Sequence, residues 1–566
     1  MRALSRGFLA AVVAAGVTLS TAPAPASADP ADPCGTPATH RVAQVQGDGD
    51  ATPLAGTTVR VEGVVTGDFQ RTDQLSGFFL QDPRPDGDPR TSEGLFAFAR
   101  DTFKDVKPGD RVLVTGRATE YNGWTELSPV TAVDVCGTGS VTPQPYRLPG
   151  DGMEPVENML LTFPQPLTVT DNYNLGRYGE VTLSSQGRLF QPTDRPGVDP
   201  ALDARRSLLV DDGSNRENPA TLPPVVRAGE VTAGLTGVLG YGFGAYRLQP
   251  TRPVGYADLN PRLPRPFPVI GNVKVASFNT LNWFTTVGSR GASNAAEQQR
   301  QLAKLVSALK GLDADAVALM EVENNGQTAL QALVDAVNAE VGAGTYAALT
   351  HPYPGTDAIQ VGLIYKPAKL TPVGAPTTSQ DAVFSRPPLI QTFRRKAGGQ
   401  PFTMLVNHLK SKGSCPSGGP DADQGDGQSC WNATRVAQAK ALLALVDGQD
   451  LPNPIVLGDL NAYGEEDPID TLEAGGLTSV TKRFVPAPLR YSYAFDGRYG
   501  ELDHALVGKQ LLRRVTSATI WHINSDEPRV LDYNTEYNPP ALYKPDAFRS
   551  SDHDPLVVGL TLPGGR

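Results

Sequence analysis

Three hydrophobic patterns follow one another along the chain. Over residues 34–140, short alternating or wholly apolar runs end at turn residues: Thr58-Val59-Arg60-Val61-Glu62-Gly63-Val64-Val65, Gly77-Phe78-Phe79-Leu80-Gln81-Asp82 and Arg111-Val112-Leu113-Val114-Thr115-Gly116. These predict strands, and no run of helical period interrupts them. The pattern then returns. Residues 110–116 through 121–127 resemble residues 229–231 through 241–248, and Phe78-Phe79-Leu80-Gln81-Asp82 is echoed by Ser207-Leu208-Leu209-Val210-Asp211. A duplicated β module of about five strands suits an oligonucleotide-binding-type (OB-like) barrel. Tyr121, Trp124, Tyr241, Phe243 and Tyr246 are candidates for base stacking, although aromatics beside hairpins more often serve packing.

Pro261, Pro264, Pro266 and Pro268 fall within ten residues. Such a stretch sustains neither helix nor central strand and reads as a stiff linker. Beyond it the period alternates. Strands are predicted at 273–278, 314–320, 358–365, 402–406 and 454–457 and near Ala505 and Leu556, with helices at 295–312, 328–341 and 433–446. The resulting division is 1–28, 29–140 (β module), 141–260 (second β module), 261–270 (linker) and 271–566 (α/β domain).

The apolar runs of the last half each deliver polar residues at their ends: Asn279, Glu321, His408, Asp459 with Asn461, Asp503 with His504, and Asp552 with His553. An α/β sandwich would gather these at one edge of two sheets. Oxygen ligands together with imidazoles are what metal-assisted cleavage of a phosphate ester requires. His40, His351 and His522 have no such company and read as structural. Asp357 has no assigned role.

Composition narrows the picture. The 58 glycines and 50 prolines among 566 residues are about a fifth of the chain, well above average usage, which favours turn-rich β structure over an all-helical protein. Residues 1–28 carry Arg2 and Arg6, an apolar stretch and then Ala26-Ser27-Ala28, the layout of a secretory leader cleaved before Asp29. The apolar stretch is too short to span a bilayer and no second one follows, so a secreted, extracellular protein with no membrane span is expected.

Four cysteines suit that compartment and permit three connectivities; the sequence-local pairs Cys34–Cys136 and Cys415–Cys430 are the expectation, and no Cys-x-x-Cys suggests zinc. Loops of about 100 and about 15 residues would stabilise by roughly 4.7 and 3 kcal/mol in the chain-entropy picture. The formal charge is −10, or −12 without Arg2 and Arg6, which argues against holding polyanions by bulk electrostatics. Local cations such as Lys410, Lys412 and Lys544 would have to serve, while Arg394, Arg395 and Lys396 read as solvated surface. Asp421, Asp423 and Asp426 in the Cys415–Cys430 loop have a composition suited to calcium without the spacing of an EF-hand.

Six blocks carry a specific likeness: Ser277-Phe278-Asn279, Leu319-Met320-Glu321, Asn407-His408-Leu409-Lys410-Ser411, Gly458-Asp459-Leu460-Asn461, Leu502-Asp503-His504 and Ser551-Asp552-His553-Asp554-Pro555. In this order they resemble the endonuclease/exonuclease/phosphatase family. The whole chain, including Asp171-Asn172-Tyr173-Asn174-Leu175-Gly176-Arg177-Tyr178-Gly179-Glu180, is similar to large secreted bacterial nucleases that degrade extracellular DNA.

The resemblance implies a four-layer α/β sandwich behind the OB-like modules and a monomer using Mg2+ or Mn2+, with Ca2+ as a further candidate. Glu321 would be the principal metal ligand, helped by Asn279 and Asp552. Some members carry a carboxylate two residues after this Asn, where Leu281 stands here. Asp459 and Asn461, two apart and so facing one way in an extended turn, would orient or deprotonate the attacking water. His553, paired with Asp503, and His408 on the opposite side would complete the catalytic set. From their own placement, Lys410 is a local cation for substrate, and Arg435 and Gln438, three apart on one face of the helix predicted at 433–446, either touch substrate or only cap packing. The reaction implied is in-line attack of water on a phosphodiester, leaving a 5'-phosphate and a 3'-hydroxyl. The same fold also serves sphingomyelin phosphodiesterases and phosphatases, and a non-catalytic extracellular binding protein is an alternative of a different class.

Overall fold

The computed structural model describes residues 34–219 and 221–564; the expected leader, 1–28, lies outside them. Strands Thr58–Phe69, Gly77–Gln81, Gly94–Ala97, Trp124–Thr138 and Asp110–Tyr121 close, in that spatial order, into a barrel. Strands Gly94–Ala97 and Trp124–Thr138 run parallel; the other pairs are antiparallel. Alternate β-branched residues make this work: Val59, Val61, Val112 and Val114 point inward and are buried together. The Cys34–Cys136 pair ties the segment before the barrel to its last strand.

Residues 144–250 form an eight-stranded sheet with a related set of pairings. Leu160–Phe163 pairs with Leu235–Gly242, Leu167–Asp171 with Val181–Ser184, and Ser207–Val210 runs parallel to Ala245–Pro250. In the barrel one strand, Thr58–Phe69, makes both of the first two kinds of pairing. Here that strand is split in two by Pro164 and Pro166, which supply no N–H to a ladder. The pairing also corrects the expected alignment of the repeat. Ser207–Val210, parallel to the last strand, takes the place of Gly94–Ala97 and not that of Gly77–Gln81.

The remaining strands build two six-stranded sheets. In the first, Val273–Trp283 and Ala316–Glu323 lie parallel at the centre, flanked by Ile359–Tyr365 and Leu556–Leu560. In the second, Leu389–Arg395, Phe402–His408, Pro454–Asp459 and Asp503–Gly508 are consecutive neighbours. Strand alternation divides the side chains between two faces. Val275, Ala318 and Met320 meet Phe393, Met404 and Leu457 between the sheets, while Phe278, Val317 and Leu319 face helices Ala295–Leu312 and Thr328–Val341. Helices Asn432–Gly448 and Asp467–Ala474 cover the other sheet. Each fully buried Phe or Leu of these cores contributes about 1.5–3 kcal/mol. The layers are therefore helix, sheet, sheet, helix.

Two features tie the β region to this sandwich. Leu189–Phe190 adds a parallel strand to the hairpin Tyr493–Phe495 and Arg498–Gly500. Buried Asp526 gathers Arg188 (2.6 Å), Arg227 (3.1 Å), Asn260 (2.7 Å) and the Tyr491 hydroxyl (3.2 Å). The proline-rich segment has neither helix nor strand, and it is strapped down: Arg262 donates twice to Glu527 at 2.9 and 2.6 Å, and the Trp521 indole donates to Leu263 O at 2.9 Å.

Candidate active site

Register across the second sheet assembles half of the site. His408, Asp459 and Asp503 are direct partners on three adjacent strands, so residues far apart in sequence stand abreast. Gly458 makes this possible. Its φ is +136°, and a Cβ there would sit 2.0 Å from Asn407 O on the neighbouring strand.

The first sheet supplies the facing half. Asn279 is fully buried near the end of Val273–Trp283, and its amide nitrogen lies 3.2 Å from Glu321 Oε1 and 3.2 Å from Asp459 Oδ2. Its amide oxygen is taken by the Leu281 N–H at 3.0 Å. Asn279, expected among the metal ligands, donates through its amide nitrogen to two acids and so orients them.

Glu321 was expected just after a strand and instead lies inside Ala316–Glu323, at an irregularity that breaks both flanking ladders. Its φ is +61°, unusual for a side chain of this size, and the kink turns the carboxylate toward Asn279 and the Asn282 N–H (2.9 Å).

His553 closes the ring. The turn 550–553 is held by Asn524, which accepts from the N–H groups of Ser550 (2.9 Å) and Ser551 (3.1 Å) and donates to His553 O (2.6 Å). His553 Nδ1 is 2.7 Å from Asp503 Oδ2, and Nε2 is 3.8 Å from Asp459 Oδ2. The Ser492 hydroxyl donates to the same Asp503 oxygen at 2.7 Å, and the Tyr493 ring packs 4.6 Å from the imidazole. From the other side His408 Nε2 is 3.5 Å from Asp459 Oδ2.

The two imidazoles differ in charge. Burial alone would depress His553, but the carboxylates of Asp503 and Asp459 outweigh it and hold its pKa well above the ordinary value. His408 is pushed well below, first by burial and then by the positive charges of Arg386, His553 and Arg290. At neutral pH His553 is therefore an imidazolium and His408 is neutral, so only the former makes ion pairs. Burial raises Asp459 to about 7, opposed by His553. Glu321 is raised by burial and by the neighbouring charge of Asp552.

This excess of carboxylate fits a hard divalent cation. Among the described residues no three or more acidic, His or Cys side chains form a dedicated cage, but Mg2+ keeps most of its waters and needs only one or two carboxylates. Glu321, with Asp552 beside it, meets that requirement.

Other expected residues fall differently. Asn461 has φ +48°, not an extended conformation; its N–H donates to Asp459 Oδ1 (2.9 Å) and its amide to Leu409 O (3.1 Å), so it braces Asp459 from behind. Lys410 is half-buried, with Nζ 4.5 Å from the centre of the Trp431 indole. Arg435, expected to touch substrate, is fully buried and spends its guanidinium on the carbonyls of Cys430 (2.9 Å) and Gln428 (3.0 Å), which gives it a structural role. It thereby anchors the loop closed by Cys415–Cys430.

The acids of that loop, whose composition suits calcium, are engaged with neighbouring groups. Asp421 accepts from Thr434 N (2.9 Å) and Oγ1 (2.7 Å) in the first turn of the helix Asn432–Gly448, while Asp423 accepts from Gly425 N and Asp426 from Gln428 N, both at 2.9 Å, within their own turns. Sequence reasoning missed Ser492, Tyr493 and Asn524. It also missed Arg386, which donates to His408 O (3.1 Å) and pairs with Asp357 (3.3 Å). Asp554, beside His553 in its motif, was the one available signal: it accepts from Asn524 N at 2.7 Å.

By structure the chain is similar to the catalytic domain of human Nocturnin, at 18% identity, covering 52% of this chain and 96% of that one with a TM-score of 0.35. It is also similar to an endonuclease/exonuclease/phosphatase family protein of Bacteroides thetaiotaomicron (16%, 50% and 96%, TM-score 0.34). A mannosyl-6-phosphatase of the same organism gives 16%, 51% and 100%, with a TM-score of 0.33. No curated protein matches the chain. Residues 276–553, which span the cluster from Asn279 to His553, match the profile of the Endonuclease/Exonuclease/phosphatase family, and in this domain the chain is a member of that family.

Proposed function

We propose that the protein is a secreted, divalent-metal-dependent nuclease that hydrolyses phosphodiester bonds of extracellular DNA. Its β regions (29–140 and 141–260) are OB-like modules, joined by 261–270 to the catalytic domain (271–566), and it acts as a monomer. The observation that carries this reading is the meeting of two histidines, one charged and one neutral, on the Asp459 carboxylate, which a single amide links to Glu321. Export is supported by the leader-like start and by two cysteine pairs with Cα separations of 5.3 and 5.4 Å.

Glu321 and Asp552 would hold a magnesium or manganese ion, which supplies Lewis-acid polarisation and charge neutralisation at a phosphoryl oxygen when bound. Asp459 sits at about 7, where it exists partly as a base at neutral pH, and takes the proton of the attacking water. Asn279 and Asn461 fix that carboxylate from opposite sides. His553, kept charged by Asp503, presents Nε2–H to the oxygen on which negative charge accumulates. His408 is neutral and contributes a hydrogen bond. Lys410 and Trp431 form a cation and ring ledge beside His408 on which a flanking nucleotide can rest.

The test is incubation of purified protein with closed-circular plasmid, linear DNA, RNA and sphingomyelin, each with magnesium, manganese or chelator. Opening of the circle with either metal and protection by chelator is expected. Intact DNA alongside cleaved sphingomyelin would replace this reading.

A further inference from the structure

Away from the catalytic residues, the eight-stranded sheet meets the segment leading to the active site. A cleft of about 70 Å³ opens there, walled by Tyr173, Asn174, Arg177, Arg529, Tyr537 and Asn538. Its chemistry is layered. The Arg177 guanidinium lies 4.8 Å from the Tyr178 ring centre and 4.3 Å from that of Tyr537, and the Arg529 guanidinium lies 5.3 Å from that of Tyr173. Arg177 Nε is buried without a partner. The other guanidinium contacts are exchangeable. Arg177 meets Glu217 at 3.0 Å and Arg529 meets Glu536 at 3.9 Å, both acids being more than half exposed, and surface pairs of this kind are weak. The Tyr173 hydroxyl accepts from Arg529 at 2.8 Å while the residue stays 54% exposed.

The apposition is built in. A Cβ on Gly176 would stand 2.8 Å from Tyr537 O and 2.9 Å from Val530 Cγ2, so only glycine lets the short helix Leu175–Tyr178 approach this closely. The same segment continues toward the chemistry, since Tyr533 lies near enough to Asp552 and Glu321 to feel their charge.

We infer that this cleft is a second nucleic-acid subsite, in which Arg177 and Arg529 hold backbone phosphates and Tyr173 stacks a base of the strand whose scissile phosphate sits at Asp459. Alternating cations and ring faces match the alternation of phosphate and base in a single strand. In an acidic chain such local cations are what can hold a polyanion. The inference rests on the proposed nuclease reading.

Its test is the full-length Arg177→Gln/Arg529→Gln double variant and, separately, Tyr173→Ser. Binding of a fluorescein-labelled oligothymidylate is followed by anisotropy in chelator across a salt series, and hydrolysis of bis(4-nitrophenyl) phosphate is measured with magnesium. The double variant should raise Kd at least about tenfold at low salt and flatten the slope of log K on log salt by about 1.4, the value for two lost phosphate contacts on a single strand. Tyr173→Ser should weaken binding about fivefold or more with the slope unchanged. Hydrolysis of the small diester, too short to span both sites, should hold in both variants. Should the double variant fail to fold, seen as loss of that hydrolysis, Tyr173→Ser decides alone. Oligonucleotide Kd and slope within twofold of wild type would overturn the subsite while leaving a DNA-cleaving wild type as a nuclease. A wild type that cleaves neither DNA nor RNA would overturn the nuclease reading itself.

Discussion

Asp503→Asn isolates charge from geometry at the centre of the site. Asp503 Oδ2 accepts from Ser492 Oγ and from His553 Nδ1, both at 2.7 Å, while Oδ1 is buried with no partner. An asparagine oxygen in the Oδ2 position keeps both bonds, so the imidazole stays in place and only its counter-charge is lost. At 2.7 Å and an effective dielectric of about 20, that pair interacts by about 6 kcal/mol, which bounds the effect from above. Transition-state charge on His553 should then lose about 3–5 kcal/mol, a fall in kcat of roughly 100- to 10,000-fold with KM little changed. The assay is initial rate against concentration of a DNA substrate with saturating magnesium, alongside a thermal melt. A variant that melts normally and retains kcat within about threefold of wild type would refute the role given to Asp503 and His553.

Three further outcomes follow from the structure. Glu321→Gln should abolish magnesium-dependent cleavage and, in thermal melts, any stabilisation of the folded protein by added magnesium, since it removes the principal carboxylate at the proposed cation site. Asp526→Ala leaves Arg188 buried without its counter-ion and Arg227 with only Glu527 at 3.5 Å, and should cost about 3–5 kcal/mol, read as a lower midpoint in urea. Glu157, buried between the two β regions, is raised by burial from 4.5 to about 9, so it is neutral in the folded protein at pH 7. Its contribution is fully present below pH 4.5 and is lost as pH climbs toward about 9; Glu157→Gln should therefore flatten melting temperature against pH across that window, and an unchanged slope would contradict it.

The α/β half was readable because its strands are apolar runs that stop at polar residues, and parallel or antiparallel register then aligns those stops. His408, Asp459 and Asp503 are the clearest case, three run-ends that become three neighbours. What stayed hidden depends on contacts that no local pattern announces. Glu321 sits on an irregularity created by both flanking strands, and Arg435 is buried because carbonyls of a disulfide-closed loop surround it. Asp526 and Arg188 pair across a sequence separation of 338 residues, and the two-residue strand Leu189–Phe190 exists only because Arg498–Gly500 is there to receive it. In the β region, Pro164 and Pro166 break a strand and disguise the correspondence with Thr58–Phe69, which shifted the apparent alignment of the repeat by one strand.

The most direct test of the central claim is the rate of closed-circular plasmid cleavage by His553→Ala in magnesium, with folding checked by circular dichroism. Convergence of Glu321, Asp459 and His553 on one phosphate predicts a native spectrum and a rate lowered by at least roughly 100-fold; cleavage at close to the wild-type rate would contradict it.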